Sequence, residues 1–97
     1  MTKYAKKVDA NQASIVKVFR QMGFSVQHLH TMASGCPDLM IGKAGVNYLV
    51  EIKDGSKPPS KSKLNELQEK WFREWNGQAI VIKSIDEAVN FCNNLSK

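Results

Sequence analysis

The sequence predicts a single α/β domain spanning residues 1–97, and three observations carry that prediction. Apolar spacing switches between helical and strand periods along the chain. A short turn joins two strand-like runs, Asp38–Gly42 and Asn47–Lys53. A helical stretch then separates that hairpin from one further apolar strand. Ninety-seven residues suit one domain, and 42% hydrophobic with 24% charged residues belongs to a globular chain rather than a disordered one.

Taken in order, Asp9 is a good helix N-cap, with Gln12 three residues on as a capping-box partner. Ile15, Val16, Val18, Phe19 and Met22 follow at helical spacing, and Gly23 stops the run. Phe24, Val26 and His28 alternate with polar residues, which predicts a strand reaching about His30. Thr31 to Pro37 is a loop. The two hairpin strands are joined by Lys43-Ala44-Gly45-Val46, and Asp54 to Ser60 is a polar loop with two prolines. A second helix is expected from about Ser62 to Trp75, with Leu64, Leu67, Trp71 and Trp75 on one stripe. Ala79–Ile82 is a fourth strand, and Ser84 with Glu87 caps a last helix carrying Ala88, Phe91, Cys92 and Leu95. The order α-β-β-β-α-β, with an additional C-terminal helix, implies a mixed four-stranded sheet flanked by helices.

Fourteen Lys and Arg against nine Asp and Glu leave a charge of +5, which favours polyanionic partners, nucleic acid first among them. Cys36 and Cys92, the two cysteines, are too few for a disulfide framework or a four-ligand zinc site. They are expected to be buried thiols. No apolar run reaches the ~18 residues of a membrane span. Residues 1–7 lead into no signal-peptide core, so a cytoplasmic protein is expected.

The hairpin register carries the chemistry. If Gly42 stands opposite Asn47, then Met40 faces Leu49 and Asp38 faces Glu51. Period-two alternation puts Lys53 on the face of Glu51. Two facing carboxylates repel unless a proton or cation lies between them. A hard divalent ion suits them, with the backbone carbonyl of Ile52 as a further oxygen. Such an ion activates water and polarises phosphate, and Lys53 would orient or deprotonate that water. The plainer reading is a surface hairpin with a cross-strand ion pair, but two opposed acids would destabilise it.

Gly35-Cys36-Pro37-Asp38, followed by Glu51-Ile52-Lys53, resembles the signature of the PD-(D/E)XK nuclease superfamily. The fuller string G-C-P-D-L-M-I-G, a turn, then Y-L-V-E-I-K-D-G is similar to the VRR-NUC family, over about Asp9 to Ile82. Members stand alone in phages and bacteria, or form the nuclease module of Fanconi-associated nucleases. The resemblance implies that Asp38 and Glu51 are metal ligands for Mg²⁺, with Mn²⁺ as substitute, and that Lys53 is the catalytic lysine. It implies products with a 5′-phosphate and a 3′-hydroxyl. Gln68 with Phe72 resembles the Gln-x-x-x-Tyr helix motif, although Phe72 lacks the hydroxyl. The glutamate that family members often carry on the first helix is Gln12 here, which leaves the metal one charge short.

Other candidates keep two readings each. Gln68 lies on an apolar stripe, either as a satisfied helix-face amide or as an active-site contact. Gln12 is explained by its capping box or by a place in the site. His28 and His30 share a strand face beside the site, and His30 is a candidate DNA contact. Lys57, Lys61 and Lys63 are a solvated charge run or a loop that grips phosphate. Trp71, Phe72 and Trp75 are expected in the core or at an interface rather than as base-stacking platforms.

The function expected from all this is a small Mg²⁺-dependent endonuclease acting on branched DNA, a Holliday-junction resolvase working as a homodimer. The apolar groups Tyr4, Trp71, Phe72, Trp75 and Phe91 exceed what so small a core needs and would supply the dimer interface. The alternatives are a monomeric nuclease nicking flaps or single strands, and a basic DNA-binding module without turnover.

Overall fold

The computed structural model describes residues 9–29, 32 and 35–95. Its elements are α1 (Gln12–Gln21), β1 (Ser25–His28), β2 (Leu39–Lys43), β3 (Val46–Ile52), α2 (Pro59–Ser62), α3 (Glu66–Glu74), β4 (Ala79–Ile82) and α4 (Ile85–Leu95). The four strands form one sheet in the order β1-β2-β3-β4. The first three are antiparallel and β4 runs parallel to β3. This is the expected mixed sheet. No helix among the described residues is long and apolar enough to cross a membrane. Tyr4 and His30 lie outside the described residues.

The register of the hairpin is the expected one, with Gly42 opposite Asn47 and Met40 opposite Leu49. Its turn is tighter than the sequence suggests: strand pairing continues to Lys43 opposite Val46, which leaves two turn residues. Ala44 and Gly45 both take positive φ, 55° and 79°, as a mirror-image two-residue turn requires.

Alternation sets the layers. Leu39 and Ile41 of β2, Val50 and Ile52 of β3 and Ile82 of β4 are buried on the face covered by α1 and α4. There they meet Ile15, Val16 and Phe19 of α1, and Ala88 and Cys92 of α4. Each large apolar side chain so buried contributes about 1.5–3 kcal/mol. Phe91 packs edge-on to Tyr48 at 5.1 Å between ring centres.

Three boundaries differ from expectation. Helix α1 starts at Gln12 with Asn11 in the cap position and no side-chain cap, so Asp9 and Gln12 form no capping box. The Asn11 amide is committed elsewhere, to carbonyls at the ends of β3 and β4. Strand β1 stops at His28, because its ladder with β2 ends at the pair His28–Leu39. The expected helix from Ser62 to Trp75 is two helices: α2 starts on Pro59, and Lys63 and Asn65 are extended. Asn65 and Gln68 then form a reciprocal capping box that starts α3. At α4, Ser84 Oγ accepts from the Glu87 N–H, while Glu87 Oε1 accepts from the N–H of Lys83.

The aromatic stripe of α3 also departs from expectation. Gln68 is the buried residue of that helix, while Leu67 is 57% exposed and Trp75 45% exposed. Trp71 and Phe72 are half-buried and stand outside the main core. Helix α3 meets the sheet on the face away from α1 and α4, where the strands carry polar groups at that end.

Candidate active site

Asp38 precedes β2 directly, and Glu51 and Lys53 lie at the end of β3, so the hairpin carries all three to one end of the sheet's two central strands. Asp38 is 4% exposed and Glu51 is 2% exposed. Asp38 Oδ2 accepts a hydrogen bond from the Ile52 N–H at 2.8 Å. Glu51 Oε2 accepts from Gln68 Nε2 at 2.9 Å and lies 3.7 Å from Lys53 Nζ. Asp38, Glu51, Lys53 and Gln68 all line one cavity of about 350 Å³, together with Lys57. A carboxylate is costly to bury without partners, and two side by side also repel. A fold built for stability alone has no use for such a pair at the mouth of a cavity.

The donor set fits a divalent cation. Three carboxylates, those of Asp9, Asp38 and Glu51, line the cavity, but among the described residues no three His, Cys, Asp or Glu side chains gather as a metal cluster, so Asp38 and Glu51 with backbone oxygen make the donor set. That is a donor set for Mg²⁺, which is held by one or two carboxylates while keeping several waters. In an extended strand the N–H and C=O of one residue point to the same neighbour. The Ile52 N–H points at Asp38, so its carbonyl faces that side too, and Ile52 lines the cavity.

Gln68 does two things at once. Its Oε1 accepts from the Asn65 N–H at 3.0 Å to cap α3, and its Nε2 holds Glu51. The loop before Asp38 closes the other wall. Gly35 has φ of +88° and packs so closely that an added Cβ would meet the Leu67 carbonyl oxygen at 3.0 Å. A larger residue there would strain the left-handed backbone and require the start of α3 to shift by a few tenths of an ångström.

Of the remaining candidates, Lys57 reaches the cavity, whereas Lys61 and Lys63 are exposed outside its lining. Gln12 is buried, with Nε2 3.5 Å from His28 Nδ1 and its Oε1 without a hydrogen-bond partner. It is not among the residues that line the cavity. His28 is exposed on β1, and His30 lies outside the described residues.

Two residues that the sequence reading passed over belong to the site. Asp9, taken for a helix cap, lines the cavity. Asn11 Nδ2 donates to the carbonyl of Lys53 at 3.1 Å and to that of Lys83 at 3.3 Å, tying the start of α1 to the ends of β3 and β4. The Lys53 N–H is held in turn by the Ile82 carbonyl at 3.0 Å. Beyond Lys53, Asp54 Oδ1 accepts from the Ser56 hydroxyl at 2.6 Å and from its N–H at 3.0 Å, which turns the chain away. Those two bonds hold the Asp54 carboxyl below the usual carboxylate range.

No protein-family model matches the chain, and no curated protein matches it. A solved structure described as "VRR_NUC domain" shares its fold, with a TM-score of 0.59 and 24% sequence identity. The match covers 88% of this chain and 97% of that one. The fold is therefore a known one, in which this chain sets Asp38, Glu51 and Lys53 around one cavity.

Proposed function

We propose that the chain is a divalent-metal-dependent DNA endonuclease of the VRR-NUC type, within the PD-(D/E)XK superfamily, and that it resolves four-way junctions as a homodimer. The observation that carries the nuclease reading is the convergence of two buried carboxylates, Asp38 and Glu51, with Lys53 on one cavity. The likeness in fold to a "VRR_NUC domain" structure and the G-C-P-D and E-I-K strings support it.

Asp38, Glu51 and the Ile52 carbonyl would hold Mg²⁺ or Mn²⁺. When bound, that ion supplies Lewis-acid polarisation of the phosphate and acidifies water. Lys53, 3.7 Å from Glu51, orients the attacking water or takes its proton. Gln68 fixes the Glu51 carboxylate, and Lys57 on the cavity wall meets the strand's phosphates. Recognition through backbone phosphates suits a chain of +5 charge and favours DNA shape over base sequence. Two-fold pairing matches the two cuts that a four-way junction needs, since one chain supplies one Asp38–Glu51–Lys53 cluster.

The test is cleavage of a four-way junction, a flap and a linear duplex, with and without Mg²⁺, by wild type and by Asp38→Asn, Glu51→Gln and Lys53→Ala. Each variant should lose cleavage and keep its fold. Normal cutting by any of the three removes that residue from the mechanism. Flap cutting by a monomer in sedimentation replaces junction resolution with branch nicking. DNA binding without turnover in Mg²⁺ leaves a binding module.

A further inference from the structure

The stripe on α3 carries a second role. Leu67 is 57% exposed and also lines the catalytic cavity. From there the stripe climbs the helix to Trp71 and Trp75, whose rings stack at 4.8 Å between centres with planes 15° apart. Trp75, the outer member, is 45% exposed. From Leu67 to Trp75 is eight residues, or about 12 Å at 1.5 Å per residue. That is the span of roughly three to four bases at 3.4 Å each. The Gln68–Glu51 hydrogen bond ties this helix to a carboxylate of the cavity.

We propose that Trp75, backed by the ring of Trp71, forms a stacking platform for an unpaired nucleobase of the DNA strand that leaves the Asp38–Glu51–Lys53 cavity. The inference rests on the nuclease reading and assigns it a substrate feature: bases that are not in a duplex. Every base has a π-face, so a tryptophan platform accepts any sequence but rejects bases already stacked in paired DNA. Flaps, single-stranded arms and branch points where a base pair has opened offer such bases, and an uninterrupted duplex does not.

Two observations favour a nucleic-acid strand over a second copy of the chain. The stripe is continuous with the cavity through Leu67, so a helix laid along it would cover the cavity mouth. The area is also small. At 45% exposure Trp75 offers on the order of 100 Å², from about 250 Å² for the whole side chain. Leu67 and half-buried Trp71 add on the order of 100 Å² each at most, so the whole stripe stays well short of the ~800 Å² per partner of a stable interface. The charges allow a phosphate strand as well. Glu74, the acid nearest the stripe, is paired with Lys70 at 2.9 Å, and Lys57 adds positive charge in the cavity, while Glu66, Glu69 and Arg73 lie round the far side of the helix.

The experiment is a set of binding titrations in EDTA, where cutting is off, with oligo-dT, a four-way junction carrying unpaired arms, and an uninterrupted duplex. Tryptophan fluorescence and electrophoretic shift are read for wild type, Trp75→Ala, Trp75→Phe and Trp71→Phe. Oligo-dT should quench wild-type fluorescence. Trp75→Ala should bind oligo-dT and the unpaired-arm junction about tenfold more weakly, with duplex affinity unchanged within about twofold, and Trp75→Phe should recover most of the loss. Equal affinity of wild type and Trp75→Ala for all three probes overturns the platform, as does a parallel loss on duplex. Sedimentation without DNA in which Trp75→Ala turns a dimer into a monomer overturns it too, in favour of a second copy on the stripe. These results are separable from failure of the nuclease reading, which shows as wild type that binds DNA and makes no Mg²⁺-dependent cut.

Discussion

Replacing Gln68 separates its two tasks, because glutamate keeps one and inverts the other. In Gln68→Glu the carboxylate still accepts from the Asn65 N–H, as a capping box asks, but the donor to Glu51 becomes an oxygen at about the same 2.9 Å. Two ionised carboxylates at that distance repel by up to ~6 kcal/mol at an effective dielectric of 20. The alternative is to take up one proton, which for a carboxyl of ordinary pKa near 4.3 costs roughly 1 kcal/mol at pH 5 and 5 kcal/mol at pH 8. Below pH 8 the proton is the cheaper route, so the folded pair has a raised pKa. Stability is then kept below pH ~4 and lost as pH rises toward that folded value.

Gln68→Ala behaves differently. It loses a hydrogen bond to a charged group, about 1.5–3 kcal/mol, and part of a cap, about 1 kcal/mol, with little pH dependence. The two variants should therefore cross. Glu is the milder change at pH 5 and the harsher one at pH 8. Urea denaturation at several pH values between 5 and 8 measures both, and each kcal/mol is also ~4–8 °C in Tm for a domain of this size. A Gln68→Glu penalty that stays flat across that range would refute the placement of Gln68 on Glu51.

Asn11→Ala removes the donor to the Lys53 and Lys83 carbonyls and should cost about 1–3 kcal/mol of stability, with cleavage falling further than DNA affinity; comparing kcat with the binding constant checks this. DNA binding should weaken steeply with salt and little with sequence, at a slope near −0.9 per phosphate contacted; titration from 50 to 200 mM salt on two unrelated duplexes is the measurement. Ala44 sits at φ 55° in a two-residue turn that prefers asparagine there, so Ala44→Asn should raise stability by roughly 0.5–1 kcal/mol in a thermal melt. Burial pushes the Cys92 thiol up, so alkylation at pH 8 should label Cys36 first and reach Cys92 only on unfolding.

How far the site is legible in sequence depends on what holds each residue in place. Asp38 opposite Glu51 follows from local facts, a short turn and strict alternation, and the observed pairing of Met40 with Leu49 is the same register. Gln68 leaves a trace because an amide among Leu64, Trp71 and Trp75 is out of place on an apolar stripe. That trace misleads about the rest of the stripe, though. Buried aromatics and exposed ones make the same helical pattern, and only the position of α3 over the sheet decides that Gln68 goes in while Leu67 and Trp75 stay out. The break between α2 and α3 has a local signal in Asn65-x-x-Gln68, which a reading based on apolar spacing runs past. Asn11 leaves no trace at all. Its partners are backbone carbonyls 42 and 72 residues away, and a carbonyl is the same whichever residue carries it. Side-chain chemistry can be read from a sequence because it is written in residue type. A side chain that grips main chain across the fold can be read only once the fold has brought the two together, and here that grip fixes the lysine on which the proposed chemistry turns.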